Sequence, residues 1–356
     1  MTAGKNRKNR KTILIKLTVV AIAAAFFAGA GLGLFIWDRA FKSNVTTGEQ
    51  ESADIYIPSG ADIDDVFTIL EENNLIKNMP ALKWVAEKKN YRNNVHPGNY
   101  RLNDGMNNNE LINMLRSGSQ ILIRLVFISQ RTVEDLAGVV SRQIEADSSE
   151  IATLASNSEF IGSLGFDEAS LPALFIPNTY EFYWNTTAEQ FYYRMKNEYD
   201  KFWNETRERK REDISLSRVE VSTMASIVSE ETVKTEEMPV IAGVYLNRIR
   251  RGMLLQADPT VKFALGDVAV NRILRKDLDI DSPYNTYRNP GLPPGPIVIP
   301  PVQAIDAVLN SQDHEYLFFS AREDFSGYHR FAKTLAEHNR NARLYQNALN
   351  QRRVFR

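Results

Sequence analysis

The chain has 356 residues, 43% hydrophobic and 24% charged, proportions that leave room for a buried core and two folded modules. With the six basic residues before the first apolar run set aside, 37 positive charges face 44 negative ones, which argues against nucleic acid as a partner. There are no cysteines, so disulfides and thiolate metal sites are excluded and stability has to come from the core.

Residues 1–16 hold Lys5, Arg7, Lys8, Arg10, Lys11 and Lys16 and no acid, and the 21 residues Leu17–Trp37 that follow are uncharged and almost wholly apolar. That run has the length of a single transmembrane helix. The basic flank puts the N-terminus on the cytoplasmic side and the remaining chain outside, with Trp37 at the outer interface. The run is longer than the apolar part of a signal peptide and lacks an A-x-A exit, which favours a retained anchor. Residues 38–52 are polar and mixed and read as a linker.

The fold class expected is α+β, with the anchor followed by a small α+β module over 53–127 and a mainly helical domain over 128–356 that includes a short strand pair. In the module, Asp54-Ile55-Tyr56-Ile57 alternates like a strand, Pro58-Ser59-Gly60 turns, and Ile63, Val66, Phe67 and Leu70 mark a helix. The order returns as Gly98 to Leu102, the turn Asn103-Asp104-Gly105, and a helix with Leu111, Ile112 and Leu115. Between the two lies a helix around Leu82, Trp84 and Val85, and a third strand, Ile121 to Phe127, is expected to close the unit.

In the second domain, Thr132 opens one amphipathic helix and Thr187 a second that runs through Phe191, Met195, Tyr199 and Phe202. The aromatic stretch Phe175 to Tyr183 precedes the latter. Most of its rings suit core packing; Tyr180 and Tyr183, with polar tips, are the ones expected to face a groove, where rings stack on sugars. Near the C-terminus, Tyr316 to Ser320 and Tyr328 to Ala332 form the strand pair. Thr334 and Glu337 then have capping-box spacing, which gives Glu337 a structural role.

The run VSTMASIVSEET carries a chemical signal. Met224, Ile227 and Val228 recur at helical spacing, and the same stripe reaches Glu231, whereas Glu230 falls with Thr223 and Ser226 on the expected polar face. A carboxyl group on the buried side of a helix has its charged form disfavoured, so its pKa rises towards the range a general acid needs. A glutamate that snorkels out or pairs with an arginine is the competing reading. Beyond it, Pro239, Ile241, Val244, Tyr245 and Ile249 mark a helix ending at Gly252. In the next loop Gln256 is a donor for an amide or hydroxyl, and Asp258, held extended before Pro259, is expected by default to cap the following helix. The Pro- and Gly-rich stretch 284–301 reads as a cleft wall. His96, His314, His329 and His338 have no metal-ligand spacing, and no serine elbow occurs.

Ordered blocks across this region resemble the YceG-like endolytic lytic transglycosylases of bacterial cell walls. They are Phe175 to Tyr183, Ala225 to Thr232, Val244 to Arg248, Gly252 to Val261, Tyr284 to Tyr287, Gly291 to Gly295 and Glu337 to Asn339. The resemblance implies that Glu231, just before Thr232, is the catalytic acid and that 53–127 is LysM-like, a module type associated with N-acetylglucosamine polymers. That module either binds glycan or spaces the catalytic domain from the membrane.

The resemblance also implies the chemistry. One glutamic acid protonates the bond between N-acetylmuramic acid and N-acetylglucosamine, and the muramyl 6-hydroxyl closes a 1,6-anhydro end without water, no cofactor being needed. Gln256, Asp258, Tyr284, Asn285 and Asn339, with Tyr180, are the candidate substrate-binding residues, peptidoglycan strands the partner, and glycan-polymerising penicillin-binding proteins the neighbours. Two other readings stay open: a muramidase using Asp258 as a second carboxylate, and a non-enzymatic glycan-binding scaffold.

Overall fold

Residues 3–266 and 273–352 are described by a computed structural model. Of the basic tail expected at 1–16, residues 1 and 2 and the side chains of 3–13 lie outside the described residues. The chain divides into two units, Met1–Ile123 with Tyr183–Asn185, and Arg124–Phe182 with Thr186–Arg356.

The first unit begins with helix α1 (Ala3–Ala40), whose 27 residues Leu14–Ala40 are long and apolar enough to cross a membrane and stand exposed until Ala40 enters the core. It has the length and composition of a membrane span. Strand β1 (Ser52–Ile57), helices α2 (Ile63–Glu72) and α3 (Met79–Lys88), strand β2 (Gly98–Asn103) and helix α4 (Asn108–Ser117) follow. The two strands pair antiparallel in the register Ile55↔Tyr100, and the alternation anticipated for them buries Ile55 and Ile57 against Phe67, Leu70, Leu82, Leu111 and Ile112. Asp62 and Asn107 close capping boxes at the starts of α2 and α4, satisfying backbone N–H groups that the first turn leaves free.

Residues 38–52 do not form a linker. Ala40 and Val45 are in the core, and Asn44 is buried. Its amide bonds Asn108 Oδ1 at 2.6 Å and takes the Asn78 N–H at 2.7 Å, while Asn108 donates to the Arg39 carbonyl at 2.7 Å. Polar composition signalled a loop, but the asparagine amides substitute for backbone partners and sew the end of α1 to α3 and α4.

The second unit holds β3 (Leu122–Phe127) from Arg124 onward, α5 (Val133–Val140), α6 (Ser148–Ala155), α7 (Ser158–Ser163), β4 (Asn178–Tyr183) up to Phe182, α8 (Ala188–Phe202), α9 (Glu205–Asp213), α10 (Arg218–Glu231), α11 (Met238–Arg250), α12 (Asp258–Leu265), α13 (Val302–Leu309), the hairpin β5 (Phe318–Ala321) and β6 (His329–Ala332), and α14 (Leu335–Gln351). The strand expected to close the membrane-proximal module is β3, and it pairs instead with β4. Its alternation was legible, but a partner strand hidden in an aromatic stretch was not.

Helix α10 is the axis of this unit. It packs on α11, α12 and α13, and every side chain from Val221 to Val228 is buried, including Thr223 and Ser226 of the expected polar face. The hydroxyls are accommodated by turning back on the helix: Thr223 donates to the Val219 carbonyl at 2.8 Å and Ser226 to that of Thr223 at 2.7 Å. Ser226 also accepts the Ile297 N–H at 3.0 Å, which fastens the 284–301 stretch to the helix. Thr334 and Glu337 make the capping box of α14.

Gly295 shows how closely that stretch is laid down, because a Cβ at this position would lie 1.8 Å from the Ala169 carbonyl oxygen. Backbone on both sides leaves nothing flexible to yield. Gly295→Ala is expected to destabilise the second unit by about 1–3 kcal/mol or more, read as a lowered denaturation midpoint; an unchanged midpoint would contradict the packing.

Candidate active site

Glu231 is the last residue of α10, and its side chain is half-buried where the helix gives way to the 232–237 loop. Tyr245, fully buried on α11, donates its hydroxyl to Glu231 Oε1 at 2.7 Å. Loss of hydration pushes the Glu231 pKa up to about 7, and the charge of Asp258 adds to the rise; the Tyr245 bond and the cations Arg248 and Lys262 oppose it. A carboxyl group in this state is protonated in a large fraction of molecules near neutral pH and can deliver its proton. Burial and the adjacent glutamate in turn hold the Tyr245 hydroxyl well above its ordinary pKa, so it stays a donor.

The carboxyl opens on a cavity of about 310 Å³ lined also by Gln256, Asp258, Tyr287, Phe318 and His338. Asp258 is the first residue of α12, not its cap; Ala257 holds the cap position and has no side chain to cap with. Freed from that duty, the Asp258 carboxylate accepts the Tyr287 hydroxyl at 2.6 Å. Gln256 has a left-handed backbone, φ +51°, unusual for a residue with a Cβ, and it lines the cavity. Its loop is held by the Gln256 N–H to the Thr286 carbonyl at 3.1 Å and the Ala257 N–H to Thr286 Oγ1 at 3.0 Å.

Arg248 is the frame of this pocket. Its buried guanidinium donates to the carbonyls of Leu317 at 2.7 Å and Leu255 at 2.6 Å, and lies over the Phe318 ring at 5.2 Å, tying α11 to the hairpin and to the Gln256 loop. Neighbouring Asn247 donates to the carbonyls of His314 at 2.6 Å and Tyr316 at 3.1 Å. His338, stacked on Phe318 and pressed by burial and then by the Arg248 charge, has its pKa lowered and is a neutral ring.

Other side chains singled out in the sequence stand elsewhere. Asn285 is fully buried and donates to the carbonyls of Leu278 at 2.9 Å and Ile280 at 2.8 Å, while its oxygen takes the Tyr287 N–H at 3.0 Å; it sets Tyr287 rather than lining the pocket. Tyr284 packs on Phe263, ring centroids 4.6 Å apart, in a separate cavity of about 190 Å³. Asn339 is exposed on α14, with His338 beside it taking the place on the wall. Tyr180 does not face a groove: it is 7% exposed, stacks on Phe127 and bonds the Ile176 carbonyl, because β3 covers the face that its polar tip seemed to require open.

The sugar-sized aromatic wall lies on the other side of Glu231. A second cavity, about 370 Å³, is lined by Glu231 together with Arg322, Phe325, Tyr328, His329 and Tyr345. It shares Ser229, Glu230, Thr232 and Val233 with a third of about 590 Å³ that reaches Ile128, Asn178 and Gln303. These rings come from the hairpin and α14, far from the aromatic run that drew attention in the sequence, and their spacing carries no local signal.

The fold and site define a protein that bears an apolar N-terminal helix and one neutralised carboxylic acid at the join of neighbouring cavities. The chain belongs to the YceG-like family, whose family model matches residues 55–344. It is 28% identical over 335 residues to the endolytic murein transglycosylase of Bacillus subtilis, covering 90% of this chain and 92% of that one. The endolytic murein transglycosylase of Streptococcus pneumoniae serotype 2 is 28% identical over 343 residues, 87% of this chain and 60% of that longer protein. Among solved structures, a YceG-like protein of Listeria monocytogenes superposes with a TM-score of 0.53 at 30% identity, over 82% of this chain and 99% of that one.

Because the Tyr245 hydroxyl favours ionised Glu231, Tyr245→Phe is expected to raise the Glu231 midpoint from about 7 by ~1 unit. Carbon-13 titration of the Glu231 carboxyl reads the shift; a midpoint that stays put or falls would be inconsistent with the bond.

Proposed function

We propose that this protein is an endolytic peptidoglycan lytic transglycosylase with Glu231 as its catalytic acid and base. The observation that carries the proposal is the placement of a carboxyl with a pKa near 7 between cavities on either side. Two cavities that share the acid suit cutting within a strand rather than nibbling at its end. The names of the relatives support the substrate.

Glu231 gives its proton to the oxygen that leaves as the bond from muramyl C1 to the next sugar breaks. As carboxylate it then accepts the proton of the muramyl 6-hydroxyl, whose oxygen bonds to C1 and closes the 1,6-anhydro ring. No water is consumed, and the nucleophile belongs to the same sugar, so one tuned carboxyl suffices. Gln256 and the Tyr287 hydroxyl hold polar groups of the substrate, and the Asp258 carboxylate of the same cavity stabilises the positive charge that builds on the ring. The rings of Phe325, Tyr328 and Tyr345 stack on the sugar beyond the cut.

The basic tail and apolar helix tether the protein to the cytoplasmic membrane with the cleft on the outer side. Anchoring raises its local concentration at strands leaving their synthases, which suits terminating elongation and makes penicillin-binding proteins its neighbours. The LysM-like reading of the first unit fits a role in holding glycan or in spacing the catalytic domain from the membrane. Glu231→Gln is expected to lower turnover by at least ~1000-fold, the scale of losing a general acid, and to abolish anhydro-muramyl ends in mass spectra of digested sacculi. Undiminished strand processing by this variant would leave the protein a binder.

A second reading has its own observation: Asp258 shares the Glu231 cavity and has its carboxylate fixed by Tyr287. It could then activate water, making the protein a muramidase that releases reducing ends. Asp258→Asn discriminates. Under the lyase reading anhydro ends remain the product at a reduced rate; under the hydrolase reading the wild type yields reducing ends and the variant loses them.

A further inference from the structure

The wall of the second cavity carries a part-buried imidazole, His329, held from behind by a buried carboxylate, Glu237, and the mechanism above uses neither. Glu237, 7% exposed, closes the 232–237 loop at the N-cap position of α11. Its Oε1 accepts the backbone N–H of His329 at 2.9 Å and its Oε2 bonds His329 Nδ1 at 2.9 Å. Both carboxylate oxygens are therefore engaged by one residue on β6. The neighbouring contacts repeat the tie: Tyr328 bonds Glu236, and the Lys234 ammonium lies 4.8 Å from the Tyr328 ring centroid.

This grip has a chemical consequence. A carboxylate on Nδ1 makes that nitrogen the protonated one, so in the neutral ring Nε2 carries the lone pair. Nε2 has no hydrogen-bond partner among the described residues, and the His329 ring is on the wall that also holds Glu231. Its orientation is fixed on the far side by the edge-on Phe319 ring, 5.3 Å between centroids. A fixed, unpaired acceptor in a cavity beside the acid is what a polar ligand with an N–H or O–H needs.

We propose that His329 Nε2 is a substrate-binding acceptor for a hydroxyl or amide N–H of the sugar in the second cavity, with Glu237 as the positioning residue that selects its tautomer. The inference rests on the glycan reading of the site and adds to it a contact on the side of Glu231 opposite Asp258.

The test exploits the shapes of two amides. Asparagine places its amide where Nδ1 was, so His329→Asn keeps a donor for Glu237 and loses the group at Nε2; glutamine reaches the Nε2 position and gives up the Glu237 bond. Binding of uncut glycan strands is measured in the Glu231→Gln background, where nothing is cleaved, with melting temperature followed alongside. His329→Asn is expected to melt close to its parent yet bind about tenfold more weakly, the scale of one hydrogen bond, and His329→Gln to recover most of that affinity despite lower stability. Equal binding by the asparagine variant and its parent, or loss that tracks melting temperature in both variants, would overturn the assignment of His329 while leaving the glycan reading intact. Failure of the Glu231→Gln parent itself to bind strands would remove that reading and this one with it.

Discussion

The bond between the Tyr245 hydroxyl and Glu231 Oε1 fixes a half-buried carboxyl in place, and the arrangement of the second unit follows from keeping it so. Desolvation favours the neutral carboxyl, and an acid that never ionised could not take a proton back. The hydroxyl and the more distant Arg248 and Lys262 charges pull the other way, leaving the pKa near 7. That balance requires Tyr245 to be immobile, which its full burial on α11 ensures, and α11 to be fixed against α10, which the close packing of the two helices provides.

Holding an ionisable group at the end of a helix buried from Val221 to Val228 sets further constraints. The hydroxyls of Thr223 and Ser226 are satisfied on the helix itself, and Ser226 also takes the Ile297 N–H. Arg248 acts on Glu231 only through its charge, while its Nε and Nη1 donate to the carbonyls of Leu317 and Leu255. Those bonds locate the Gln256 loop and the hairpin, the two segments that supply the walls on either side of the acid. A buried cation spent on backbone carbonyls gives geometry instead of neutralising the proton donor.

The first unit uses another device for the same end. Asparagine amides at 44 and 108 take the place of regular secondary structure and join the last turn of α1 to the helices beyond it. The apolar helix is thus continuous with a folded body, and the segment after it has no slack at Ala40 or Val45. Compositional rules take Asn as a sign of loops, and here Asn44 and Asn108 make bonds in the interior that only distant partners reveal.

Helical phase placed Glu231 on the apolar stripe, capping boxes at Thr187 and Thr334 marked helix starts, and strand alternation found β1, β2 and the β5–β6 hairpin, because these depend on neighbours a few residues apart. The family blocks pointed to the same glutamate from order along the chain. What separates Asn285 from the pocket, turns Asp258 from a helix cap into a wall of the cavity, buries Tyr180 under β3 and brings Phe325, Tyr328, His329 and Tyr345 round to face Glu231 is contact between residues remote in the chain. Local pattern determines which face of an element is apolar; only packing decides which polar group is left without a partner and therefore free to act.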